Sequence, residues 1–157
     1  MITYRIATID DLELLTRTRV DFFADIHKDI TDGEKADIYA YSKAYFEETL
    51  GNGTFAAYLA FDEEVLVATS GVNFYKTPPN PKNTSGKMAY ISNMYTKPEY
   101  RDRGITTHLF DLTAAEARGR GCGKAVLHAT EIGRTIYEKY GFFVPSPYGA
   151  MEYYFEK

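Results

Sequence analysis

The chain has 157 residues, 45% apolar and 25% charged, with a formal net charge of -4, one cysteine and three histidines. That size and apolar share suit a single domain, residues 1–157, burying a core without disulfides or structural metal, and the lone Cys122 excludes a multi-cysteine metal site. The scattered lysines and arginines give no electrostatic footprint for nucleic acid, and no apolar run approaches the roughly 20 residues of a membrane span.

The N-terminus lacks the basic-then-apolar layout of a signal peptide, so a soluble protein of the cytoplasm is expected. Ile2, Tyr4 and Ile6 alternate with polar neighbours as a half-buried strand does, and Thr8 with Asp11 reads as a helix N-cap and its acidic partner. The helix that follows carries Leu12, Leu15, Phe22, Phe23 and Ile26 on one face and should end within residues 29–33. Arg19 interrupts that apolar stripe. A snorkelling arginine with a buried stem is the simpler reading, and a substrate contact is the other.

Residues 34–50 form a second helical pattern, with Ala36, Tyr39, Ala40, Lys43, Phe46 and Leu50 near one face, stopped by Gly51-Asn52-Gly53. Residues 55–61 and 65–75 are rich in β-branched and aromatic residues and read as a hairpin around Asp62-Glu63-Glu64. The Pro- and Asn-rich stretch 76–86 is a loop, long enough for a flap over a site. Then come a strand at 88–96, a helix at 104–119, a strand at 124–129, a short helix at 131–140 and a closing strand at 151–155. Strand, helix, strand, helix favours a parallel pair, whereas the N-terminal half favours antiparallel pairing. The expected fold is therefore α/β, a mixed and mostly antiparallel sheet of six to seven strands flanked by about four helices.

The informative stretch is Tyr100-Arg101-Asp102-Arg103-Gly104-Ile105-Thr106-Thr107, between an apolar strand and a helix whose buried face should be Ile105, Leu109, Leu112 and Ala115. A helix N-terminus presents unpaired N–H groups and partial positive charge, so a glycine start flanked by two arginines suits a diphosphate. Arg101 and Arg103 can add charge-assisted bonds, and a hydroxyl of Thr106 or Thr107 another. Gly119-Arg120-Gly121-Cys122-Gly123-Lys124 is no rival: Arg118 stands at the first glycine of a Walker loop, and the run follows a helix and precedes a strand. Cys122 there reads as a bystander.

Tyr90-Ile91-Ser92-Asn93-Met94-Tyr95-Thr96, then Pro98 through Ile105, then Tyr137-Glu138-Lys139-Tyr140-Gly141-Phe142 resemble the GNAT acyltransferases along the whole chain. Arg101, Gly104, Tyr137, Gly141 and Phe142 match the family's two signatures, while Thr106 departs from the small residue usual at its place. The resemblance implies that two parallel strands splay, that the first pairs through its main chain with the pantetheine arm of acetyl-CoA, and that the pyrophosphate rests on the next helix. Met94 and Thr96 then become main-chain ligands, and an N–H near Met94 or Tyr95 polarises the thioester carbonyl. Main-chain groups of Gly104, Ile105, Thr106 and Thr107 complete the expected cofactor site, with no metal.

The function so implied is N-acetyltransfer from acetyl-CoA to a primary amine of a small molecule or peptide, with a non-catalytic acyl-CoA-binding module of the same fold as the alternative. Tyr137 is the expected proton donor to the departing thiolate, a phenol of ordinary pKa about 10. No general base is assigned: the strand at 88–96 carries no carboxylate, His128 alternates with its neighbours as a packed histidine does, Asn93 could only position substrate, and Glu131 is explained by the helix dipole. Direct attack in a ternary complex is expected, because no Ser-His-acid set is evident. The acceptor pocket should draw on loops 26–34, 76–86 and 145–149. The acidic balance, with Asp25, Asp29 and Asp32, is compatible with a cationic amine, and a homodimer is possible for this fold.

Overall fold

β1 (Ile2–Ile6), β2 (Phe55–Asp62), β3 (Val65–Lys76), β4 (Lys87–Thr96) and β5 (Lys124–Leu127) stand side by side in chain order in one sheet. The computed structural model describes residues 1–145 and 151–155. Neighbouring strands are antiparallel from β1 to β4, a tight turn joining β2 to β3, two helices lying between β1 and β2 and a loop between β3 and β4, and β4 with β5 is parallel. Between that last pair the chain makes the longer crossover a parallel pair requires, through α3 (Ile105–Gly119). The other helices are α1 (Leu12–Ile26), α2 (Asp32–Asn52) and α4 (Glu131–Lys139).

This is the mixed α/β architecture with four helices, but among the described residues it has five strands rather than six or seven. Residues 151–155, expected as the closing strand, form no ladder and keep every side chain exposed. Strand-prone composition alone does not make a ladder; here Glu152 meets His128 and Tyr154 through side chains.

Two capping devices set the N-terminal half. The carboxylate of Asp11 accepts the Thr8 N–H at 2.8 Å and both forks of Arg5 at 2.7 Å, and the Arg5 bonds foremost hold its carboxyl below the usual carboxylate range. At Thr31, the hydroxyl accepts the Glu34 N–H at 3.2 Å while the Glu34 carboxylate accepts the Thr31 N–H at 2.8 Å. That second capping box ends α1 at Ile26, earlier than residues 29–33, and leaves Ile26 exposed.

α1 and α2 cover one face of the sheet over Leu15, Phe46, Phe55, Ala57 and Leu59. α3 and α4 cover the other over Ala56, Val72, Ile91, Phe110 and Tyr137. The buried face of α3 is Ile105, Leu109, Phe110, Thr113 and Ala117, whereas Ala115 is exposed and Leu112 only half-buried. Thr113 serves as a core residue because its hydroxyl donates to the Leu109 carbonyl at 2.8 Å and lies 2.6 Å from the Ser70 hydroxyl.

The loop between β3 and β4 is pinned rather than hung over a site. Asn83 is buried, its amide donating to the Lys87 carbonyl at 3.0 Å, and a Cβ on Gly123 would come within 2.1 Å of its side-chain oxygen. Those contacts fix the loop where β4 begins, away from the end at which β4 parts from β5.

Candidate active site

β4 is regular only in its first half. Gly71 of β3 pairs with Ser92 and Thr69 with Tyr95, so that Asn93 and Met94 together oppose Ser70 in a β-bulge. Asn93 takes φ of 53°, a left-handed conformation that asparagine tolerates better than most residues, and its carbonyl accepts the Thr69 hydroxyl at 2.8 Å. A Cβ on Gly71 would lie 2.6 Å from the Phe55 ring and 3.2 Å from the Asn93 Cβ, so glycine is what lets the bulge close. Asn93 is buried, yet neither end of its side-chain amide has a hydrogen-bond partner among the described residues.

β5 pairs only with Met88 to Ile91 and then ends at Leu127, where Thr130 caps α4 by accepting the Gly133 N–H at 3.2 Å. Residues 92–96 of β4 therefore have no strand beside them on that edge among the described residues. Their N–H and C=O groups on that edge are the main-chain partners a ligand could use.

α3 starts just beyond. Gly104, its N-cap, has φ of 76° with open space around a would-be Cβ, and no side chain caps this helix, unlike α2 and α4. The first N–H groups of α3 therefore point outward with the positive end of the helix dipole, the arrangement that receives an anion.

The predicted site residues take distinct places around this start. Met94 packs towards the α3 side, and Tyr95 is buried with its ring edge-on to Phe22 at 5.9 Å. Thr96 and Thr106 share a hydrogen bond at 2.9 Å, which ties the end of β4 to the first turn of α3 and is what the threonine does in place of a small residue. Ile105 is core by its side chain, Thr107 is exposed, and Arg103 lies over the Tyr100 ring at 4.9 Å. Arg101 does not point its guanidinium at open space: it donates to the Thr96 carbonyl at 3.0 Å and pairs with Asp25.

Tyr137 sits on α4 with its ring in the core, 5.3 Å from Phe110, and its hydroxyl makes no hydrogen bond among the described residues. Burial pushes its pKa up from the ordinary phenol value, so the group stays protonated at neutral pH. Thr107 shares a shallow recess with Ile136, Lys139 and Tyr140, so the start of α3 and the end of α4 face one another. Burial also raises the Cys122 thiol, which keeps it from being a ready nucleophile.

A sequence model of the acetyltransferase (GNAT) domain matches residues 3–144. The chain belongs to the GNAT acetyltransferase family. A predicted acetyltransferase from Clostridium acetobutylicum, crystallised with acetyl-CoA, is 32% identical, with 97% of this chain and 96% of that one covered at a TM-score of 0.86. A GCN5-related N-acetyltransferase from Ralstonia eutropha is 28% identical over 98% and 99% of the two chains, TM-score 0.84. Glucosamine-6-phosphate N-acetyltransferase from Arabidopsis thaliana, at 20% identity, 99% coverage of both chains and TM-score 0.70, shares the fold alone. No curated protein sequence matches significantly. The family and these neighbours support acetyltransferase activity.

The remaining candidates raised by the sequence also take definite places in this GNAT domain. Asp25 is taken up by Arg101 and Lys28, and Asp32 by Lys35, so two of the three acidic residues near loop 26–34 are paired. His128 is exposed rather than packed, with Nδ1 3.0 Å from the Tyr90 hydroxyl and Nε2 3.3 Å from Glu152. Of the turn at 145–149, only Pro145 lies within the described residues. Those residues include no group of His, Cys, Asp or Glu able to hold a metal, and no helix long and apolar enough to cross a membrane.

Proposed function

We propose that this domain transfers the acetyl group of acetyl-CoA to a primary amine of a small molecule or peptide, which attacks directly in a ternary complex. The observation that carries the reading is an uncapped α3, begun by a left-handed glycine, beyond the end of a strand whose last five residues have no strand on one edge among the described residues. Both halves of the coenzyme have a complement there: unpaired main-chain groups for the pantetheine amides, unpaired helix N–H groups for the diphosphate.

Bound acetyl-CoA supplies an activated acyl group as a thioester. Met94, Tyr95 and Thr96 hold the pantetheine arm through their main chain, and an N–H at Met94 or Tyr95 donates to the acyl oxygen. Gly104, Ile105, Thr106 and Thr107 bind the diphosphate through main-chain N–H groups, with Arg103 adding charge. The Arg101 side chain, already engaged by Thr96 and Asp25, positions the loop while its main chain lines the cradle. Tyr137 donates its phenolic proton to the departing thiolate, a role consistent with a hydroxyl free of internal bonds and a raised pKa.

Thermal unfolding with acetyl-CoA, dephospho-CoA and free adenine nucleotides tests the reading. Acetyl-CoA at 100 times its Kd should add about 2.7 kcal/mol of stability. Absence of stabilisation by any of the three would sink it.

A further inference from the structure

Among the described residues, three arginines make neither a hydrogen bond nor an ion pair, and two of them, Arg103 and Arg118, are exposed. The third is Arg19, half-buried on α1, with its guanidinium over the rings of Phe23 at 4.6 Å and Phe22 at 5.7 Å. A cation drawn from water without a counter-charge is destabilising unless a ligand supplies one.

The groups around it give the site its shape. The titratable groups that reach Arg19 are two neutral phenols, Tyr90 and Tyr45, and no carboxylate is among them; burial lowers its pKa, yet a guanidinium stays ionised. The Tyr45 hydroxyl accepts from the Asn73 amide, whose oxygen accepts the Ser92 hydroxyl at 3.2 Å, and Tyr90 reaches His128. The two phenols thus flank Arg19 on the α1–α2 face, and three residues beyond Tyr90 in β4 stands Asn93, whose buried amide has no partner among the described residues. The cation and its two phenols lie near the point where β5 leaves β4, at Leu127 beside Ile91.

We infer that the acceptor amine carries an anionic oxygen group, a carboxylate or phosphate, and that Arg19 binds it through its planar fork. The inference rests on the acetyltransferase reading above and narrows its substrate class: the acceptor is a zwitterion rather than the simple cation that the chain's net charge suggested.

The test compares acceptors in matched pairs: amino acids against their amides, and aminoalkyl phosphates or phosphonates against the corresponding amino alcohols. One member of each class should be favoured over its uncharged partner at least about tenfold in kcat/KM, and the two arms separate carboxylate from phosphate. Arg19→Gln should remove the preference through KM, while acetyl-CoA still stabilises the variant. Arg19→Met should raise Tm by about 2–4 °C, the sign opposite to that of a structural arginine. Equal rates within every pair, no acid acetylated, a preference that survives Arg19→Gln, or a lower Tm with selectivity intact would each overturn the inference. Failure of acetyl-CoA to stabilise the parent would instead remove the enzyme reading itself, and the inference with it.

Discussion

The two halves of β4 are built from one strand and serve opposite ends. Residues 87–91 lie between β3 and β5, with Met88, Ala89 and Ile91 buried and the ladder continuous on both edges. Among the described residues, 92–96 keep only β3, open into a bulge at Asn93, and leave one edge of backbone unpaired before the uncapped start of α3. Satisfied hydrogen bonds make the first half scaffold, and unsatisfied ones make the second half a receptor. The contrast can be broken at either end.

The largest expected effect is on the scaffold side. Ile91→Ala removes a buried side chain from the core shared with Phe110 and Tyr137 and should cost about 3 kcal/mol in urea unfolding, with acetyl-CoA still stabilising what remains folded. Close behind is Tyr137→Phe on α4, in the same core cluster. Loss of the proton donor should lower kcat about 100-fold, or about 2.7 kcal/mol of barrier, while Tm barely moves because the hydroxyl has no internal bond to lose. Burial raises the Tyr137 pKa, and a general acid works below its pKa and fails above it, so any alkaline limb due to this group should begin above pH 10. A kcat within threefold of the parent would refute the role.

Much of this contrast could be seen in the residues themselves, and part could not. The hairpin of β2 and β3 and the glycine start of α3 were legible because local chemistry decides them: β-branched alternation around an acidic turn, and Arg101-Asp102-Arg103-Gly104 before a periodic apolar face. The bulge was not. A bulge inserts one residue without changing composition, and only the tolerance of Asn93 for positive φ hints at it. Nor could the Arg101 ion pair be seen, because its partner, Asp25, is 76 residues away in sequence. The face of α3 was misjudged at Thr113, whose hydroxyl is satisfied inside the core by partners invisible to a polarity scale. Residues 151–155 are rich in aromatic residues as a strand is but pair with no strand among the described residues, and pairing is a property of the neighbour as much as of the segment.

Gly104→Ala probes the receptor side at its helical end. A Cβ there meets nothing within 4 Å, so the cost is backbone strain at φ of 76°, about 1–2 kcal/mol. If the strained loop is relieved by shifting the first turn of α3, the stabilisation by acetyl-CoA should fall with it. A variant that keeps the parent's full response to acetyl-CoA would show that this helix start is not the diphosphate cradle.

Asn93→Gly should change stability least of all, and that small number discriminates most sharply between the halves. Glycine accepts φ of 53° without strain, and it removes a buried amide that has no partner, a relief of about 1–3 kcal/mol. Against this stand the added chain entropy of glycine, about 0.5–1 kcal/mol, and the packing lost beside Phe55 and Gly71. The sum should lie within about 1 kcal/mol of zero, while kcat/KM falls at least about tenfold on the expectation that Asn93 positions the acceptor. Destabilisation of 2 kcal/mol or more, of the kind expected at Ile91, would place Asn93 in the scaffold and move the boundary between the two halves of β4 beyond the bulge.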